Sequence, residues 1–299
     1  MDIQNDTFGG EYPFRPNYMK VFGHRMHYVD EAPDNNPNAQ PIVLLHGNPT
    51  WSFLYRKFVP PIVESGFRAI APDYVGWGRS DKPFDRSLYR LENRIQYFTR
   101  FMDALDLKDI TLVMQDWGGP IGLGYAVEHP ERIKRLVIMS TWAFEWPEGA
   151  ELPSFFRLCR EPYLGDAVLM GYNLFIEGFL FTEIKRKERL TPEVMRGYRA
   201  PFPDYCSRVA TTVIQDVPLT REDPSFGKMK EIEGRLNRLN VPTLLVWGED
   251  DVLLPVYDIW KRIYPHSELR MVPRAGHFLQ EDAPAEVMGA IQEFLARHP

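Results

Sequence analysis

Short unbroken apolar runs alternate along this chain with stretches whose apolar residues recur at helical spacing. Pro41-Ile42-Val43-Leu44-Leu45, Arg68 to Ala71, Ile110 to Met114, Arg135 to Met139 and Val241 to Trp247 read as strands buried on both faces, as in a parallel sheet. Trp51 to Glu64 and Leu91 to Leu105 read as helices between them, and Leu269 to Val272 with Ala285 to Arg297 read as a last strand and a closing helix. Near the start, Tyr18 to Phe22 and Met26 to Val29 flank the turn Gly23-His24-Arg25, which predicts an antiparallel opening. The whole reads as α/β: a mostly parallel eight-stranded sheet flanked by helices.

This rhythm stops at Ala143 and returns near Lys230. Between them Pro, aromatic and charged residues mix with helical stretches, Gly165 to Phe181 and Pro192 to Tyr198. The expected organisation is a main domain, 1–142 and 231–299, with a helical cap, 143–230, inserted after the sixth strand.

Composition changes the picture little: 44% hydrophobic and 25% charged residues are ordinary for a soluble globular chain. A net charge of −6 argues against nucleic acid or an anionic membrane as partner, because either favours a basic face. Cys159 and Cys206 show no metal or redox spacing, no secretory leader is recognisable, and no run approaches the length of a membrane helix. A cytoplasmic protein without metal or organic cofactor is expected, monomeric or homo-oligomeric.

The chemistry gathers where strands end. Met114-Gln115-Asp116-Trp117-Gly118-Gly119 joins a strand to a helix of small residues, the pattern of a nucleophile elbow, with Asp116 at the nucleophile position and Met114 where the strict pattern has its first Gly. Asp116 also suits the cap of the helix that follows. A serine needs a base before it can attack, whereas a carboxylate, with a reference pKa near ~3.9, is already ionised at neutral pH. Such a nucleophile suits displacement at an sp3 carbon, through an alkyl ester to the protein.

Two later loops complete the order nucleophile, acid, histidine. Gly248-Glu249-Asp250-Asp251 follows the strand ending at Trp247, and Ala275-Gly276-His277-Phe278 follows the last strand. His277 suits proton abstraction from water, and Asp251 would hold its tautomer; Glu249 and Asp250 are rivals that only spacing disfavours. The backbone N–H groups of Asn48 and Trp117 could serve the oxyanion of ester hydrolysis. His24, His27, His129, His266 and His298 have no such setting, and His46 reads as structural beside the Asn48 loop.

With HGNPTWSFLYR from His46, DYVGWGRSDKP from Asp73, QDWGGPIGL from Gln115, GEDDVLLP from Gly248 and AGHFLQED from Ala275, the chain resembles the haloalkane dehalogenases of the α/β-hydrolase superfamily. APFPD from Ala200 extends the likeness into the cap. The resemblance implies that Asp116 displaces halide from a small halogenated aliphatic substrate and that His277 with Asp251 activates the water that cleaves the ester. It also implies that the indole of Trp117 and the side-chain amide of Asn48 hold the product, chloride or bromide. Some family members carry the acid after the sixth strand, where this chain has Met139-Ser140-Thr141, with Glu145 farther on in the cap.

Phe144, Phe155, Leu174, Phe175, Phe179, Leu180 and Phe202 are candidate pocket lining, although aromatics at helical spacing also build cores. Asp73, Gly76, Gly78 and Ser80 read as loop architecture. An epoxide hydrolase shares the Asp-Trp-Gly elbow but needs a proton donor, for which Tyr163, Tyr172, Tyr198 and Tyr205 are available, and it usually has an aromatic residue in place of Asn48. A luciferase-like oxygenase and a catalytically silent ligand receptor of the same fold are the remaining alternatives.

Overall fold

The computed structural model describes residues 3–146 and 154–299. Eight strands, β1 (Asn17–Val21), β2 (His24–Glu31), β3 (Pro41–Leu45), β4 (Arg68–Pro72), β5 (Ile110–Gln115), β6 (Ile133–Met139), β7 (Thr243–Gly248) and β8 (Glu268–Val272), form one sheet. Their order is β1-β2-β4-β3-β5-β6-β7-β8; β2 runs antiparallel to β1 and β4, and every other pair is parallel. The expected α/β architecture is what the chain adopts. Every residue of β3, β5 and β7 is buried, as continuous apolar runs require when helices cover both faces.

Register brings the working loops together. Leu45 pairs with Met114, Gln115 with Met139, and Gly248 with Val272, so β3, β5, β6, β7 and β8 end along one edge of the sheet. Residues 46–48, 116, 140, 251 and 277 all follow those ends. Open α/β sheets bind ligands there.

Two helical expectations break at identifiable residues. The stretch from Trp51 to Glu64 is a 3-10 turn, Ser52–Tyr55, followed by a helix, Val59–Glu64, whose first turn contains Pro60 and Pro61. Proline fits a first turn, where its missing N–H costs nothing, but not a helix interior. Gly165 to Phe181 is likewise two pieces, Leu164–Gly171 and Phe175–Glu183, bent by 70°. Asn173 lies between them at φ 53°, a left-handed conformation that asparagine tolerates and a helix does not. By contrast Leu91–Leu105 forms as the periodicity predicts.

Between β6 and β7 the described chain contains helices and no strand. Free Cys159 is buried and free Cys206 exposed. No single helix among the described residues is long and apolar enough to cross a membrane.

Candidate active site

Asp116 follows β5 at φ 51°, on the sharp turn that starts the helix Gly118–Ala126. Its N–H donates to the Ser140 carbonyl at 3.0 Å, and the Thr141 hydroxyl donates to its carbonyl, so the residues after β6 brace the turn. Close approach needs glycine on both sides. A Cβ at Gly47 would lie 2.1 Å from Asp116 Oδ1, and one at Gly118 would lie 2.3 Å from the Leu45 carbonyl oxygen. Met114, in the place of the pattern's first glycine, is accommodated farther along: a Cβ at Gly122 would lie 2.7 Å from the Met114 sulfur.

The Asp116 carboxylate is aimed by two contacts. Asn48 N–H donates to Oδ1 at 2.7 Å, and His277 Nε2 lies 3.3 Å from Oδ2. Behind the ring, His277 Nδ1 is 3.2 Å from Asp251 Oδ1, whereas Glu249 and Asp250 are exposed. Of the three carboxylates in this loop, Asp251 is the one beside the His277 ring.

Ser140 went unnoticed in the sequence. Its hydroxyl donates to Asp251 Oδ2 and lies 2.9 Å from His277 Nδ1, so a serine that bridges acid and histidine occupies the end of β6. Glu145 instead pairs with Lys230 at 2.9 Å.

Burial works against a charged His277, but hydrogen bonds to Asp116 and Asp251, together with their charges, outweigh it and hold the ring's pKa up at about 10. A second neighbour pulls the other way. Gln115 Nε2 lies 3.1 Å from the His277 carbonyl, which can only accept, so this end of the amide is the NH2; it also lies 2.9 Å from His277 Nε2. An NH2 in that place favours a lone pair on Nε2, while Asp116 favours a proton.

The Asn48 amide is equally fixed. Trp77 Nε1 donates to Asn48 Oδ1 at 3.2 Å, and because indole only donates, the Asn48 NH2 must point the other way, where it meets the Thr211 carbonyl at 3.2 Å. One N–H of that amide remains for a ligand. Asn48, Asp116, Trp117 and His277 together line a partly open cavity, walled by Trp142, Trp146, Phe156, Phe175, Phe179 and other apolar side chains. His46 is structural, as expected: burial lowers its pKa to about 4, and its neutral Nε2 accepts the Tyr74 N–H at 3.1 Å.

The cap lining requires correction. Phe175 and Phe179 reach the cavity, but Phe144, Phe155, Leu174, Leu180 and Phe202 are not in its wall. Phe144 packs on Trp260, Phe155 stacks on Phe179, Leu174 leans on Gly178, and Leu180 and Phe202 are buried in the core. Phe175 and Phe179, four apart on one helical piece, share the face that reaches the cavity, whereas Leu174 and Leu180 lie beside that face. None of the four tyrosines available as proton donor for an epoxide hydrolase lines the cavity: Tyr163, Tyr172 and Tyr205 are exposed, and Tyr198 donates to Glu281 at 2.6 Å.

An elbow of this geometry on this sheet defines an α/β hydrolase, and the family profile described as alpha/beta hydrolase fold matches residues 40–284; the chain belongs to that family. Within it, the chain is 36% identical to a haloalkane dehalogenase of Mycobacterium marinum, over 92% of each chain. It is also 36% identical to a cis-3-alkyl-4-alkyloxetan-2-one decarboxylase of Shewanella oneidensis, over 95% of this chain and 89% of that protein. Among solved structures, the haloalkane dehalogenase DatA of Agrobacterium tumefaciens C58 superposes with a TM-score of 0.85 at 28% identity, covering 95% of this chain and 97% of that one.

Proposed function

We propose that this chain is a haloalkane dehalogenase that hydrolyses carbon–halogen bonds through an ester on Asp116. The observation that carries this reading is a carboxylate oxygen, aimed by Asn48 N–H and His277, facing a cavity that also holds the Asn48 amide and Trp117. Asp116 Oδ attacks the sp3 carbon, the carbon–halogen bond breaks with its electron pair on the halide, and Asn48 and Trp117 receive the anion. Neutral N–H donors stabilise it without a direct counter-charge that would trap the product. Water then attacks the ester carbonyl while His277 takes its proton, and collapse releases the alcohol and restores Asp116. Residues 143–230 act as the cap that encloses the substrate. Bromide release from 1-bromobutane by the wild type tests the proposal; its absence across a range of chain lengths would reject it.

A second reading has its own support. The oxetanone decarboxylase relatives are as similar as the dehalogenases, and the Gln115 NH2 occupies the lone-pair side of His277 that hydrolytic water requires. A strained oxetan-2-one gives Asp116 the same kind of displacement, at the ring carbon that bears oxygen, with a tethered carboxylate as leaving group. Carbon dioxide is then lost, the electrons of the broken C–C bond form an alkene, and the ester C–O bond breaks to return Asp116. No water is consumed. Offering the wild type a cis-3,4-dialkyloxetan-2-one beside a bromoalkane separates the readings: carbon dioxide and alkene support the second, bromide and alcohol the first.

A further inference from the structure

Arg94 is a buried cation that neither reading has used. It lies in the first turn of the helix Leu91–Leu105, is 4% exposed, and has none of Nε, Nη1 and Nη2 hydrogen-bonded among the described residues. Its guanidinium carbon lies 5.1 Å from the Trp77 ring centre and 4.6 Å from that of Trp117. Burial lowers its pKa to about 10, with Tyr74, Asp116 and Asp216 acting in the opposite sense, so it is charged at neutral pH. A buried charge without a hydrogen-bonded partner is costly, which makes Arg94 a poor choice for stability alone.

Its two aromatic neighbours are the groups that organise the anion site. Trp117 lines the cavity beside Asp116, and Trp77 orients the Asn48 amide. We propose that Arg94 is a positioning residue for the displacement: its guanidinium, held between Trp77 and Trp117, fixes both anion donors and places a positive charge behind the leaving group. This rests on the reading that Asn48 and Trp117 receive the departing anion. The indoles keep the cation from forming a contact ion pair with the product, so the anion is stabilised as it forms and still departs. The same charge suits a halide or a carboxylate leaving group.

Titration with sodium bromide, followed by tryptophan fluorescence, tests the idea in the wild type, Arg94→Met and Arg94→Lys, with the rate of the first displacement measured by rapid quench on 1-bromohexane. Arg94→Met is expected to bind bromide about tenfold or more weakly and to slow displacement by a similar factor, as loss of a charge near a poorly solvated anion should. Its thermal midpoint should stay level or rise, because an unpaired buried charge has gone. Arg94→Lys should recover most of the bromide affinity. Unchanged affinity and rate in a folded Arg94→Met protein would overturn the proposal, as would a lowered midpoint with normal affinity in both variants. Should Arg94→Met not fold, Arg94→Gln replaces it as the uncharged member of the pair. A wild type that binds no bromide would instead reject the anion site itself.

Discussion

Asp73 and Asp116 form two buried aspartate–histidine pairs at the ends of strands on either side of β3, and only one of them is placed to react. Asp73 accepts the Ser52 N–H on Oδ1 at 2.8 Å and both the His27 ring and the Arg79 N–H on Oδ2 at 2.8 Å. It has no solvent exposure, and Gly78 is pressed so closely on it that a Cβ there would lie 2.1 Å from Oδ2. Asp116 has one backbone donor, a histidine at 3.3 Å, and a cavity in front of it. Residue type and a neighbouring imidazole are therefore common to both. Spare lone pairs facing open space distinguish the proposed nucleophile from the girder.

The largest effects should come from Asp116. Asp116→Ala is expected to fold and to release no halide, even in a first turnover, because no other described carboxylate lines the cavity. His277→Phe should release about one halide per protein and stall, since displacement needs no base but hydrolysis does. Mass spectrometry of its Asp116 peptide should then find the alkyl adduct. Release without an adduct would place the nucleophile elsewhere and erase the contrast with Asp73.

Asp73→Asn should act on stability instead. Breaking a fully buried pair costs on the order of 3 kcal/mol, read as a fall in the urea midpoint, with turnover per folded molecule near the wild-type value. Acid provides a second reading of the same contact. Burial would raise the Asp73 pKa, but the His27 charge and hydrogen bond outweigh it and bring it down from 3.8 to about 2. A depressed carboxylate pKa stabilises the fold above the unfolded value and loses that contribution as pH falls through the folded one, here between about pH 4 and pH 2, for about 2 kcal/mol. Urea midpoints of wild type and Asp73→Asn should therefore converge over that window. Parallel curves would show that Asp73 is not held as an anion by its partners.

What could be read in advance follows from the range of the signal. Val43 and Leu112 lie in runs buried on both faces, so local composition sufficed for their strands. Asp116, Asp251 and His277 each follow a strand in a fixed order, and that order is visible along the chain. Trp77, Ser140 and Gln115 act on partners 29, 111 and 162 positions away, through side chains that mark nothing locally. Arg94 was hidden differently, since a charged residue in the first turn of an amphipathic helix ordinarily faces water. The cap misled because lining depends on facing: on the piece after Asn173, Phe175 and Phe179 reach the cavity while the equally apolar Leu174 and Leu180 do not.

The smallest expected change concerns the residue next to the nucleophile. Gln115 is an imperfect fit: its NH2 serves the His277 carbonyl and faces Nε2, while its buried Oε1 has no partner among the described residues. In the esterified enzyme, where the Asp116 charge is gone, that NH2 competes with water for the lone pair and favours the neutral ring. Gln115→Leu should leave the halide-releasing step unchanged and speed ester hydrolysis a few-fold, on the order of 1 kcal/mol for one hydrogen bond. Removing a donor to the neutral form should also raise the His277 pKa in the ester, shifting the acid limb of the hydrolysis profile to higher pH. Single-turnover measurements across pH separate the two steps. If hydrolysis slows and its acid limb stays in place, Gln115 holds the ring for catalysis rather than restraining it, and the water-free decarboxylation loses its structural support.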